Sequence, residues 1–262
     1  MPAADRPDAR SAGAVHNDMI MPTDVRCLVT GDGSYTLVRA TGTLDPAGAR
    51  SLRDTLLARR ADHPGPLVVE VSGLRVDGPD GWAVFADVRT AAAEWPVSEL
   101  LLYAETGAAA RDWAGHGVPV ARTPAEALAG SVPVLPLDVP LEPAVGAAKQ
   151  ARELVTEACL GWGVPELAGA GCIAVTEMVN NVVTHAHTPM TLRLAVRDGA
   201  LRLAVRDWSL ARTAYAGLVP PTATGGRGLL LIDAVARRWG DTLVPDGKVV
   251  WAVFHPEDTA EY

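Results

Sequence analysis

At 262 residues, 48% of them hydrophobic, the chain is long enough for one large domain or two ordinary ones with real cores. Its formal charge of −8, with no run of Lys or Arg, argues against nucleic acid or an anionic membrane surface as the main partner. Three cysteines, Cys27, Cys159 and Cys172, are an odd number without CxxC spacing, which fits buried thiols in a reducing compartment such as the cytoplasm better than disulfides or zinc.

Residues 1–22 mix acids, prolines and small residues without an apolar segment and read as a disordered tail. No apolar run approaches the length of a membrane span. From residue 23 onward, "VRCLVTGDGSYTLVRATGTLD" predicts two strands around a Gly31-Asp32-Gly33 turn, and Pro46 opens a helix with Ala49, Leu52, Leu56 and Leu57 on one side. "LVVEV" predicts a buried strand, residues 79–95 a helix, "ELLLY" a further strand, and two short helices follow near 107–115 and 123–129. Alternating strands and helices make the class α/β. The prolines at 133, 136 and 140 break this rhythm, so a boundary falls near residue 131, dividing the chain into 23–130 and 131–262, with the connector becoming the first strand of the second part.

In the second part the pattern predicts a helix over 143–162, a second over about 167–187, a hairpin, an irregular stretch, a helix over about 227–239, and a last hairpin turned at Pro245-Asp246-Gly247. The first hairpin contains the heptapeptide LRLAVRD twice, ending at Asp198 and at Asp207. Asp198-Gly199 is a two-residue turn between alternating strands. Asp207 is followed by Trp208 and no glycine, so it has a different job.

Three segments carry candidate chemistry. In "CIAVTEMVNNVVTHA", Glu177, Asn181, Thr184 and His185 recur at helical spacing on one face, opposite Val175, Val179, Val182 and Ala186. Asp207 stands at a strand end. Gly225, Gly226 and Gly228 directly precede a helix, where backbone N–H groups and the helix N-terminus suit phosphate oxygens.

This order, closed by the strand "GKVVWAVF", resembles the ATPase superfamily shared by DNA gyrase, histidine kinases and bacterial anti-sigma-factor kinases, and most of all the anti-sigma-factor kinase branch. "AVTEMVNNVVTHA" resembles that branch's Glu/Asn helix, "VRDW" its Asp-x-Gly motif and "GGRGLLLIDAVARRWG" its second glycine motif. The resemblance implies a Bergerat-type α/β sandwich, helices on one face of a mixed sheet, that binds ATP and Mg²⁺. It implies Glu177 as general base, Asn181 as Mg²⁺ ligand, Asp207 as partner of the adenine amino group, and Gly226, Arg227 and Gly228 as the phosphate loop. The chain departs at Asp207-Trp208-Ser209, where the glycine is replaced, and at Val249, where relatives carry a threonine hydroxyl.

"RATGTLDPAGARSLRDTLL" and "LVVEVSGLRVDGPDGWAVF" resemble the STAS domain of anti-anti-sigma factors, a mixed sheet with helices. Against that pattern the phosphoacceptor serine becomes Asp80, which supplies a fixed negative charge and a cap for the following helix. Together the resemblances imply a cytoplasmic serine/threonine protein kinase of partner-switching type. Its partners would be a separate STAS-domain anti-anti-sigma protein or a sigma factor, with homodimerisation left open. The alternative is a non-catalytic, nucleotide-gated binding module.

Overall fold

The computed structural model describes residues 23–31, 35–63, 65–91, 99–129, 136–211 and 227–259. The tail, the Asp32-Gly33 part of the first turn, the boundary near residue 131 and Gly225-Gly226 lie outside the described residues.

The N-terminal half is a four-stranded mixed sheet of β1 (Arg26–Gly31), β2 (Thr36–Leu44), β3 (Leu67–Val76) and β4 (Leu100–Tyr103), in that order. β1 and β2 are antiparallel, whereas β2–β3 and β3–β4 are parallel and reached through helices, as parallel pairing requires. Those helices are α1 (Pro46–Asp62) and α2 (Pro79–Ala91); α3 (Gly107–Gly115) and α4 (Pro124–Ala129) follow β4. α1 starts where its sequence says: the Asp45 side chain accepts from Gly48 N at 2.7 Å and Pro46 holds the first helical position. Leu52, Leu56, Phe85, Val88 and Trp113 are buried in one cluster between helices and sheet.

β3 runs five residues beyond the "LVVEV" expectation, because Thr41–Leu44 of β2 continue to pair with Gly73–Val76. α2 begins at Pro79, so Asp80 is inside the first turn rather than at the cap, exposed where the helix dipole favours a carboxylate. Gly81 allows α2 to press on the end of β2; a Cβ there would lie 2.6 Å from the Leu44 carbonyl oxygen.

The C-terminal half is a five-stranded antiparallel sheet of β5 (Leu137–Leu141), β6 (Met190–Arg197), β7 (Ala200–Asp207), β8 (Arg238–Val244) and β9 (Gly247–Phe254), ordered β5-β6-β7-β9-β8. Where the resemblance implies a mixed sheet, every pair in this sheet is antiparallel. The connector does become its first strand. One face is covered by α5 (Ala147–Gly161), α6 (Ala168–Asn181) and α7 (Arg227–Val235), with Val155, Leu167, Val175, Val179, Leu192, Leu203 and Ile232 fully buried between them. Cys159 belongs to this layer, and burial pushes its thiol up to about 11, as suits an inert packing residue.

α7 stops at Val235, four residues earlier than its pattern suggested, because Arg238–Gly240 pair with Trp251–Val253 of β9 and extend β8. Pro165–Ala186, which includes α6, is the helix among the described residues long and apolar enough by length and composition to cross a membrane, contrary to the expectation that no segment would be. In this fold its Val175, Val179 and Val182 face is consumed by the sheet.

The duplicated heptapeptide builds a two-faced hairpin. Asp198 and Gly199 both have positive φ, 52° and 73°, the turn that the right-handed twist of the strands favours. Leu192, Leu194, Leu201 and Leu203 point into the helical layer. Alternation then sends Arg193, Ala195, Arg202, Ala204 and Arg206 to the opposite face. There Ala195, Ala204, Val244 and Val249 form a cluster with Ala61 from the last turn of α1. The halves therefore touch: the C-terminal end of α1 lies against the outer face of the second sheet.

Candidate functional site

Glu177 and Asn181 sit one turn apart on α6, each half-buried, and the helix holds them by spending its opposite, apolar face on the core. Beyond Asn181 the backbone widens into a π-turn over Val182–Ala186, a feature that often accompanies functional sites. Thr184 and His185 fall within that wider turn and are exposed, whereas Glu177 and Asn181 are half-buried. His187 closes the helix in the left-handed region, its N–H donating to the Val182 carbonyl at 2.8 Å.

α7 packs across α6 so that its first turn meets Glu177. A Cβ on Gly228 would lie 2.5 Å from Glu177 Oε2, so any larger residue here would push the Glu177 carboxylate aside. Arg227 opens α7, and Gly226 falls just outside the described residues. Two widely separated motifs, the Glu/Asn helix and the glycine motif, are thus in contact.

Asp207 ends β7 on the same face as the helices, 1% exposed. Its Oδ1 accepts from Ser209 N at 2.7 Å. Lys248, directly opposite in β9, places Nζ 3.1 Å from Oδ1 and 3.0 Å from Oδ2. Sequence reasoning missed Lys248, because its partnership with Asp207 comes from the pairing of β7 with β9, strands separated by α7 and β8; the only signal was that the chain's one other lysine is Lys149. Gly247 permits the crossing: a Cβ there would overlap the Asp207 carbonyl oxygen.

Val249, where the chain departs from its relatives, is fully buried in the outer cluster with Ala61 and Ala204, on the face opposite Asp207. The residue that faces Asp207 is Lys248. Among the described residues there is no group of three or more His, Cys, Asp or Glu able to hold a metal by themselves, so a cation here would need oxygens from elsewhere, as Mg²⁺ commonly takes from phosphates and water.

The sequence profile of the histidine kinase-like ATPase domain matches residues 140–254. That segment contains Glu177, Asn181, Asp207, Gly228 and Lys248, and all of the five-stranded sheet except the start of β5. The chain matches none of the curated proteins. Among solved structures it is similar to a single-residue variant of RsbS from Moorella thermoacetica, at 20% identity over 40% of this chain and 92% of that one, with a TM-score of 0.32.

Proposed function

We propose that this protein binds Mg²⁺-ATP in its C-terminal half and acts as a serine/threonine protein kinase of anti-sigma-factor type. In this reading the STAS-like N-terminal half lacks the acceptor and carries Asp80 as a standing negative charge. The observation that carries the proposal is the contact of the Glu177 carboxylate with the glycine at the head of α7, within a segment that matches an ATPase profile.

The residues present fit a purine nucleotide. A carboxylate has about four acceptor positions. Asp207 uses some for Lys248 and Ser209 N–H and keeps capacity on Oδ2 for the adenine amino group. The N–H groups of Gly226, Arg227 and Gly228 would meet phosphate oxygens at the start of α7, where the helix dipole favours anions. Asn181 offers a hard carbonyl oxygen suited to Mg²⁺, which supplies charge neutralisation of the phosphates when bound. Glu177, beside that loop, accepts the proton of a seryl hydroxyl as the γ-phosphoryl group moves to it; positioning does most of the rest. A cytoplasmic location and a separate STAS-domain or sigma-factor partner belong to the same proposal.

A second reading, a non-catalytic module whose nucleotide only alters partner affinity, is favoured by one feature: Asp207 already holds an internal cation in Lys248. Incubation with γ-labelled ATP, Mg²⁺ and a panel of serine-containing STAS proteins separates the two. The kinase reading expects label on a STAS serine, lost in Glu177→Gln while nucleotide affinity persists. A wild-type protein that binds ATP but neither transfers nor hydrolyses its γ-phosphate belongs to the second reading.

A further inference from the structure

The seam between the halves is built from groups that the nucleotide reading does not use. Ala61 and Asp62 are the last residues of α1, and their carbonyls lack partners within the helix. Arg193 of β6 supplies them, donating from Nη1 to the Ala61 oxygen at 2.8 Å and from Nη2 to the Asp62 oxygen at 2.7 Å. The second half thereby caps a helix of the first, with the cation at the negative end of the helix dipole. Asp138 completes the grip, accepting from Arg193 Nε at 3.2 Å.

This cap fixes where the Asp62 side chain points. Its Oδ1 accepts from Arg206 Nε at 3.1 Å. Arg206 is 4% exposed and immediately precedes Asp207 in β7. Its guanidinium also donates from Nη2 to Asp246, and it lies 3.5 Å from the centre of the Trp208 ring. Asp246 belongs to the turn that delivers Gly247 and Lys248 to Asp207. One planar fork therefore holds both chain segments at the base end of the candidate site, and Asp62 holds the fork.

We propose that Asp62, in the N-terminal half, is a positioning residue of the nucleotide site, acting through Arg206 on Asp207, Trp208 and the Lys248 turn. The proposal rests on the nucleotide reading for its consequence but not for its mechanism. Without Asp62 a buried guanidinium keeps one of its two carboxylates and loses the constraint on its plane, so the Asp246 turn and the 207–209 segment are no longer locked together. A partner that shifts α1 by engaging the N-terminal half would act on base recognition by the same route.

The test uses the full chain and Asp62→Ala. Amide hydrogen exchange without nucleotide should be about tenfold faster at Trp208, Ser209 and Lys248, with Val175 in α6 unchanged. Affinity for a fluorescent ATP analogue should fall about tenfold, while inorganic tripolyphosphate, which lacks the base, competes as well as against wild type. If Asp62→Ala accelerates exchange everywhere, the whole fold has loosened, and Asp62→Asn, which keeps an acceptor oxygen without the charge, replaces it under the same criteria. Exchange at Ser209 and Lys248 that stays as slow as in wild type overturns the proposal. If wild type binds no ATP analogue, the nucleotide reading fails, and exchange alone decides whether Asp62 controls the segment.

Discussion

Lys248→Met deletes a charge lying 3.0 Å from one Asp207 oxygen and 3.1 Å from the other, while keeping a long apolar stem to fill the space. At that 3.0 Å separation and an effective dielectric of about 20, two unit charges attract by about 5.5 kcal/mol. Rehydration of the lysine in the unfolded chain offsets part of this, and removing one partner of a buried pair costs about 3–5 kcal/mol in practice. Asp207, 2% exposed in its side chain, gains no water in exchange, but it keeps the Ser209 N–H. The expected loss is therefore near the lower end, about 3 kcal/mol, a large share of the total stability of about 5–15 kcal/mol typical of a domain. Urea unfolding followed by circular dichroism reads it as a midpoint lowered by about 1–3 M. The double variant Lys248→Met, Asp207→Leu removes both charges and should recover at least half of the loss. A single variant within about 1 kcal/mol of wild type, or a double variant no better than the single, would refute the view that a dry ion pair closes this end of the sheet.

Gly228→Ala puts a methyl group against the Glu177 carboxylate, so affinity for an ATP analogue should fall more than about tenfold by titration calorimetry. Its melting temperature should hold or rise, because alanine favours the helix by about 1 kcal/mol; unchanged affinity would separate Glu177 from the glycine motif. Asp207→Asn should nearly abolish ATP binding, whereas Asp198→Asn should leave it intact, since asparagine accepts the left-handed turn conformation at φ 52° and Asp198 is exposed. Asp24 accepts from Thr43 N at 2.7 Å, and that hydrogen bond holds its carboxyl below the usual range. A lowered folded pKa stabilises above the unfolded value and fades as pH falls through the folded one, so the melting difference between wild type and Asp24→Asn should shrink below about pH 4.

Periodicity revealed the elements whose patterns are local. The Asp198-Gly199 hairpin, the Asp45-Pro46 helix start and the apolar face of α6 each follow from neighbours in sequence, and each is present. What the pattern missed depends on pairing across the chain. β3 outruns "LVVEV" because β2 supplies partners, and α7 yields Arg238–Gly240 to a sheet edge that only β9 defines. The site divides in the same way. Glu177 and Asn181 were visible as a helical row, but the meeting of Glu177 with Gly228 needed the packing of α6 on α7. Lys248 and Val249 are adjacent in sequence and face opposite sides, so their roles turn on a strand register that composition cannot assign. Arg193 and Arg206 occupy the polar positions of an alternating hairpin; their burial comes from a helix more than a hundred positions earlier.

The seam also bears on how this chain can be divided for work in solution. A cut between α4 and β5 would strip Ala61 from Ala195, Ala204, Val244 and Val249, leaving a wet apolar strip flanked by Arg193 and Arg206, each without its acceptors on α1. The other fragment would end α1 on two uncapped carbonyls and an Asp62 that has lost Arg206. Each piece would keep its own sheet and helices yet show a surface selected for contact, so stickiness or self-association in a fragment would describe the cut and not the parent protein. Coexpressing the two fragments should cure it, because each restores what the other lost.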